Sequence, residues 1–422
     1  MTRRGGAVER VNQGAGNASG DPQVFYFGVF DGHGGDECSH FLRDRLHGYL
    51  EDAAVKFGVE SSLRKSESES EEESSGKEQL QNDVLQLQRY LVNNWRDTVG
   101  GYFKRFRPEY FTSLQKTSTP TRSTSSSVQE KPPSNTNSLE AMLTYAFLHA
   151  DLDFTRAQAA KHTPSSSPSQ DDPVISDKPL NDNDVLSHPN KPASQNLTNL
   201  LSAPIGGKTR FFGGSTASVA LISTPTATPF WHPASPSTIV IAHVGDTRIL
   251  LCRVSDGAVV PLTTNHHPST PVEATRLRRY AATFVTDSFG EERVLGLANT
   301  RAFGDISSKR IGVSAEPEIR VLDMAASEYS FLVLLSDGVT MSLDDQEIVD
   351  IVKEARTPEQ ASKSLVEFAT EVAGGNADNA TALVVRLGGW ERRSEGGNGS
   401  IGTKEMRDFK RRDADDPRSS RM

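Results

Sequence analysis

Apolar residues in this chain arrive in short dense runs, and most of those runs carry a strand signature. Val24 to Phe30 (VFYFGVF), Thr216 to Ile222, Thr238 to Val244, Arg248 to Val254, Val259 to Leu262, Phe331 to Leu335 and Thr381 to Leu387 are rich in β-branched, aromatic or other apolar residues. Turn-forming residues flank them, which is how strands read in a sequence. Between them lie stretches with apolar positions every three or four residues, the helical period. In Asp36 to Lys56 these are Cys38, Phe41, Leu42, Leu46, Tyr49, Leu50 and Ala53. Further helices are expected around Val84 to Phe106, over Leu139 to Ala150, and over Asp344 to Ala355 and Pro358 to Ala373. Gly245-Asp246-Thr247 between two strands reads as a tight turn, and residues 224–237 as a Pro-rich loop. Strands that cluster rather than alternate with helices imply an α+β fold, a sandwich of antiparallel sheets with helices packed outside.

Four tracts break this pattern: 60–78, 115–138, 155–208 and 388–422. They are rich in Ser, Glu, Pro, Thr, Asn or charged residues and offer too little apolar surface to offset the entropy of ordering. The three internal tracts are therefore expected to be disordered insertions, and the last a disordered tail. The remainder, roughly 290 residues, suits one large domain over 24–387, preceded by a short segment 1–23.

Charge and cysteine content narrow the class. A formal net charge of −9 over 422 residues leaves no basic face for nucleic acid. Two cysteines, Cys38 and Cys252, fit buried thiols in a reducing compartment rather than a disulfide framework. No apolar run is long enough to span a bilayer, and the N-terminus lacks a secretory core. The expectation is an intracellular monomer, cytoplasmic or mitochondrial, with no membrane or nucleic-acid partner.

The chemistry lies where strands meet acidic turns. Val24–Phe30 runs into Asp31-Gly32-His33-Gly34-Gly35, Phe331–Leu335 into Ser336-Asp337-Gly338, and Asp378-Asn379 leads into the last strand. Asp31-Gly32 alone reads equally as an ordinary turn. Asp337 does so less, because a carboxylate directly after a buried strand is costly unless paired. Asp378-Asn379 also reads as a mere cap on its turn, and Asp246 is the least distinctive of them. Together they place carboxylates at several strand ends, where they repel one another unless a cation lies between. A hard-metal site of this kind serves phosphate chemistry. Glycine at position 32 lets its carbonyl approach as a further oxygen ligand. His33, able to carry a proton near neutral pH, is a candidate general acid, though a histidine in a glycine loop is also an ordinary turn residue.

The segments FGVFDGHGG (27–35), GGSTASVALI (213–222), IAHVGDTRILLCR (241–253) and LTTNHHPSTPVEATRLRR (262–279) also carry a family resemblance. So do LGLANTRAFGDISSKR (295–310), SAEPEI (314–319), LLSDGVTMSLDDQEI (334–348) and ADNATALVV (377–385). Taken in this order they resemble the type 2C, or PPM, metal-dependent serine/threonine protein phosphatases across 24–387. The resemblance implies two antiparallel sheets flanked by helices, with two Mg²⁺ or Mn²⁺ ions in a cleft and a weaker third. Asp31 matches the bridging aspartate, Gly32 the carbonyl ligand, and Asp337 and Asp378 the remaining carboxylates of one metal. Asp246 matches the aspartate of the weaker ion, and His33 the general acid. Glu273, Arg301 and Asp305 also fall in family motifs and read as structural ion-pair or turn residues.

The implied activity is hydrolysis of phosphoserine and phosphothreonine in phosphoprotein substrates by a metal-bridged hydroxide, without a phosphoenzyme. Two departures stand out. The family opens with a strand carrying a phosphate-binding Arg and then a Glu-Asp pair, whereas the 30 residues before Asp31 hold only Arg3, Arg4, Glu9 and Arg10 as candidates. This reads as a truncated N-terminus. Asn265 also stands where an aspartate is usual. The alternative function is a catalytically impaired relative acting as a binding scaffold, and a calcium-binding adhesion-type sandwich is a more distant one.

Overall fold

The continuous apolar runs are explained by burial on both faces. In the computed structural model, residues 24–59, 71–111, 138–161, 205–278, 284–286, 292–294, 298–374 and 377–416 are described, with side chains except at 71–77, 284–286 and 292–294. The strands are β1 (Val24–His33), β2 (Gly214–Ser223), β3 (Ser237–Val244), β4 (Arg248–Arg253), β5 (Val259–Pro261) and β6 (Phe284–Thr286). They continue with β7 (Glu292–Val294), β8 (Phe303–Gly304), β9 (Glu318–Met324), β10 (Tyr329–Leu335) and β11 (Ala382–Arg386). The first sheet runs β1-β2-β3-β9, and the second β11-β10-β4-β5; β6 and β7 pair separately. Every pairing is antiparallel. Beyond the end of β3, the short β8 takes its place beside β2 at Gly214 and Ser215.

Alternate residues of each strand enter different layers, as the period of two requires. Val29, Ala220, Ile222, Ile239, Ile241, Ile249, Leu251, Leu332 and Leu334 fill the space between the sheets. Their neighbours Ala217, Val219, Val240, Ala242 and Val244 point outward into a second core. That core is completed by helices α1 (Glu37–Lys56), α2 (Glu71–Thr98) and α3 (Leu139–Ala159), through Leu42, Leu46, Trp95 and Phe147. After the short α4 (Pro271–Arg278) and α5 (Asp337–Thr340), α6 (Asp345–Glu354) and α7 (Pro358–Ala373) cover the second sheet. There Leu250, Phe331, Val333 and Leu335 meet Ile348, Val352, Leu365 and Phe368. The result is a four-layer α+β sandwich. Cys38 and Cys252 are free and buried within it.

Several expectations need correction. The tract 388–422 is not a disordered tail over its described part, since residues 388–416 include α8 (Thr403–Asp415). Trp390 is buried against Phe331, and α8 is tied down by charge. Arg407 donates to Glu354 at 2.6 and 3.2 Å, and Lys410 to Glu347 at 2.6 Å and to the Ser342 carbonyl at 3.1 Å. Helix α2 begins at Glu71, inside the tract 60–78, and α3 runs to Ala159, inside 155–208. Residues 205–208 are also described: Lys161 donates to the Ile205 and Gly206 carbonyls at 2.6 and 2.8 Å. The rest of those tracts, residues 115–137 and the segment 1–23 lie outside the described residues. Finally, Gly245-Asp246-Thr247 does not close a hairpin. It carries the chain from β3 in one sheet to β4 in the other.

Candidate metal centre

The site forms where both sheets end on the same side. Strand β1 does not stop at Phe30: it pairs on with β2 through Asp31–Thr216, Gly32–Ser215 and His33–Gly214. Asp31 and His33 are therefore held by a ladder rather than by a turn. In the second sheet, β10 delivers Asp337 as the first residue of α5, and Asp378 precedes β11. Asp246 sits on the crossover between the sheets. Gly245 there adopts φ +103°, and a Cβ on it would fall 2.3 Å from the Thr216 side chain. Only glycine lets the crossover lie against β2.

Asp31, Gly32, His33, Asp246, Asp337 and Asp378 line one cavity of about 720 Å³, together with Thr216, Asn299 and Asn379 among others. A Cβ on Gly32 would lie 2.6 Å from Ser39 Oγ and 3.0 Å from the Gly35 carbonyl, so this backbone passes where no side chain fits. Asn299 Nδ2 donates to Asp246 Oδ2 at 2.8 Å.

Burial and mutual repulsion dominate the electrostatics. Burial raises the Asp31 carboxyl above the usual carboxylate range and the charges of Asp246 and Asp378 add to it, while hydrogen bonds from the Asp337 side chain and backbone oppose it. Asp337 is raised as well, by burial first, then by the Asp246 charge and by its hydrogen bond to Asp31. Crowding of the two carboxyl groups thus disfavours charging both of them. The Thr216 hydroxyl, buried in the same wall, has no hydrogen-bond partner among the described residues. An all-oxygen donor set, crowded carboxyl groups and an orphaned hydroxyl fit a hard divalent cation. Among the described residues no three His, Cys, Asp or Glu side chains close into a ready-made cage. The acids stand around the cavity instead.

His33 Nε2 lies 2.9 and 2.8 Å from the two carboxylate oxygens of Asp305. Burial works against protonation of the ring, but this bond, with the charges of Asp305, Asp246 and Asp31, outweighs it and raises the His33 pKa. Asp305 is an ion-pair and turn residue, as expected, and its partner is His33 of the cavity wall; Asn299 was not singled out at all. Both fall in the 295–310 segment, which was the available signal. Glu273 and Arg301 are structural, as expected. Glu273 is bonded by Arg301 at 2.7 and 3.0 Å, Arg276 at 2.7 and 3.1 Å, and Thr300 at 2.7 Å.

The chain is similar to known proteins. The family model described as "Protein phosphatase 2C" matches residues 208–379. Protein phosphatase 2C homolog 4 of Schizosaccharomyces pombe is 32% identical over 374 residues, covering 88% of this chain and 73% of that protein. The mitochondrial protein phosphatase 1K of Xenopus laevis is 39% identical over 153 residues, 36% of this chain and 40% of its own length. A crystal structure of serine-threonine phosphatase 2C from Toxoplasma gondii aligns with TM-score 0.49 and 18% identity, over 86% of this chain and 85% of that one. That likeness is too distant to bear on the site. No helix among the described residues is long and apolar enough to cross a membrane. The extent of the fission-yeast match, with the family model, shows that the chain belongs to the protein phosphatase 2C family, a metal-dependent family of protein phosphatases.

Proposed function

We propose that the cavity between the sheets hydrolyses phosphoserine and phosphothreonine in protein substrates. In this reading Asp31, the Gly32 carbonyl, Asp337 and Asp378 hold two Mg²⁺ or Mn²⁺ ions, and Asp246 contributes to a weaker third. The observation that carries it is the meeting of four aspartates from both sheets on one cavity with His33 in its wall. When bound, such cations acidify water and neutralise charge on the phosphoryl group.

The chain's own residues do the rest. No Lys or Arg is among the described lining residues, so nothing in that wall offsets a dianionic phosphoryl group until the acids are loaded. Asp305 fixes His33 by its Nε2, which leaves Nδ1 to face the substrate. From Nδ1 a proton passes to the departing seryl or threonyl oxygen, whose alkoxide is a poor leaving group.

Treatment of the purified protein with a chelator should abolish hydrolysis of a phosphoserine peptide, and Mn²⁺ or Mg²⁺ should restore it. If calorimetry detects neither ion at millimolar concentration, and activity is absent too, a binding scaffold replaces the enzyme.

A further inference from the structure

We propose that Asp151 and Lys309, a buried ion pair outside the cavity, are positioning residues that lock the left-handed turn presenting Asp305 to His33. The inference rests on His33 being the proton donor.

The turn is strained and needs such a lock. Asp305 adopts φ +45°, directly after Gly304 at φ +71°. A non-glycine residue is uncommon in this region and is held there by its surroundings. From one side the first sheet does this. Gly304 pairs with Gly214, and the Asp305 N–H donates to the Gly213 carbonyl at 2.9 Å. The carboxylate lies so close to β2 that a Cβ on Gly214 would fall 2.4 Å from Asp305 Oδ2.

From the other side the lock is Asp151, on α3. Its Oδ1 accepts the Gly304 N–H at 2.9 Å, and its Oδ2 accepts Lys309 Nζ at 2.5 Å. Lys309 also donates to the Ala302 carbonyl at 2.8 Å, and its ammonium lies 5.8 Å from the centre of the Trp95 ring. Ser308 N–H donates to the Asp305 carbonyl at 2.9 Å and closes the turn. The pair thus grips the chain at 302, 304 and 309, on both sides of Asp305. Both side chains are 0% exposed.

Stability alone does not account for a pair like this. Apolar side chains of similar volume commonly stabilise a core as well as a buried ion pair does. They cannot, however, accept the Gly304 N–H or donate to the Ala302 carbonyl. What the pair supplies is the geometry of the turn, and through it the orientation of the His33 ring.

The test compares two charge-neutral double variants, so that no buried charge is left unpaired. Asp151→Asn with Lys309→Met keeps an amide oxygen within reach of the Gly304 N–H; Asp151→Leu with Lys309→Met removes it. The readout is the ratio of kcat/KM for a phosphoserine peptide to that for p-nitrophenyl phosphate, whose leaving group departs without a proton. Partial unfolding cancels in this ratio. The asparagine variant should stay within about threefold of the wild-type ratio. The leucine variant should lose about tenfold or more, the scale expected when a reacting group is displaced by a fraction of an ångström to one ångström. If the leucine variant does not fold, Asp151→Ser with Lys309→Met, which shortens the acceptor out of reach, gives the same comparison. Equal ratios in the two variants, with a lowered ratio in His33→Gln, overturn the lock alone. An unchanged ratio in His33→Gln overturns the proton donor and the lock together.

Discussion

His33 Nε2 is held between both oxygens of Asp305, a residue 272 positions further along the chain, at 2.9 and 2.8 Å. Asp305 is almost fully buried, whereas the imidazole keeps 36% of its surface exposed. One partner is anchored and the other faces the cavity, the relation expected of an orienting group and the group it orients.

Asp305→Asn keeps an acceptor for Nε2 but removes the charge. Turnover of phosphoserine peptides should fall by about a hundredfold, within the usual share of general acid catalysis. Turnover of p-nitrophenyl phosphate should fall only a few-fold. Equal losses on the two substrates would show that Asp305 holds the fold rather than the proton donor.

Asp337→Asn preserves shape while removing one of the crowded carboxyl groups. Mn²⁺ binding measured by calorimetry should weaken strongly, and phosphatase activity should drop by orders of magnitude. The metal-free variant should melt no lower than the wild type, because repulsion among Asp31, Asp246, Asp337 and Asp378 is relieved. Unchanged Mn²⁺ affinity would remove Asp337 from the metal site.

Glu273 provides the pH prediction. Burial alone would raise its carboxyl, but Arg276 and Arg301 hold it far below the ordinary range. Glu318, despite burial, is likewise held at about 2 by His266 and Thr264. A carboxyl depressed on folding contributes stability that is present above its unfolded pKa and is lost as pH falls towards the folded one. Melting temperature should therefore decline as pH drops below about 4.3, the unfolded value. Glu273→Gln should flatten that decline and cost about 3–5 kcal/mol at neutral pH, since two guanidinium groups lose a buried partner. A decline as steep in the variant as in the wild type would reassign the acid sensitivity elsewhere.

The C-terminal segment should matter for stability. Trp390→Ala empties a buried site against Phe331 and should cost about 3–5 kcal/mol in urea unfolding. Lys410→Met removes bonds to Glu347 and to the Ser342 carbonyl and should cost less. Unchanged midpoints for both would mean that the segment packs without contributing.

Local pattern made the central strands β2, β3, β4 and β10 legible because they fill two cores at once, and so write themselves as unbroken apolar runs. The acids were legible because strand ends mark them. Strand β9 was missed because it is half exposed and carries Glu318, Arg320 and Asp323, and three further features were hidden for other physical reasons. Helix α8 is polar and is fixed by Arg407 and Lys410 on acidic partners, so a measure of apolar content misses it. Gly245-Asp246-Thr247 has the composition of a hairpin turn, and nothing local distinguishes a turn within a sheet from a crossover between sheets. Asp305 looks like a turn residue because it is one; its bond to His33 spans 272 residues and exists only after the sheet has formed.

The crossover at Asp246 has a mechanical consequence. Asp31 belongs to one sheet, while Asp337 and Asp378 adjoin β10 and β11 of the other. Any cation gripped by acids of both layers acts as a removable rivet through the sandwich. Withdrawing it should loosen the two layers against each other, so metal content should be felt in amide exchange at the far ends of β2 and β10, around Ile222 and Phe331, as well as beside the acids.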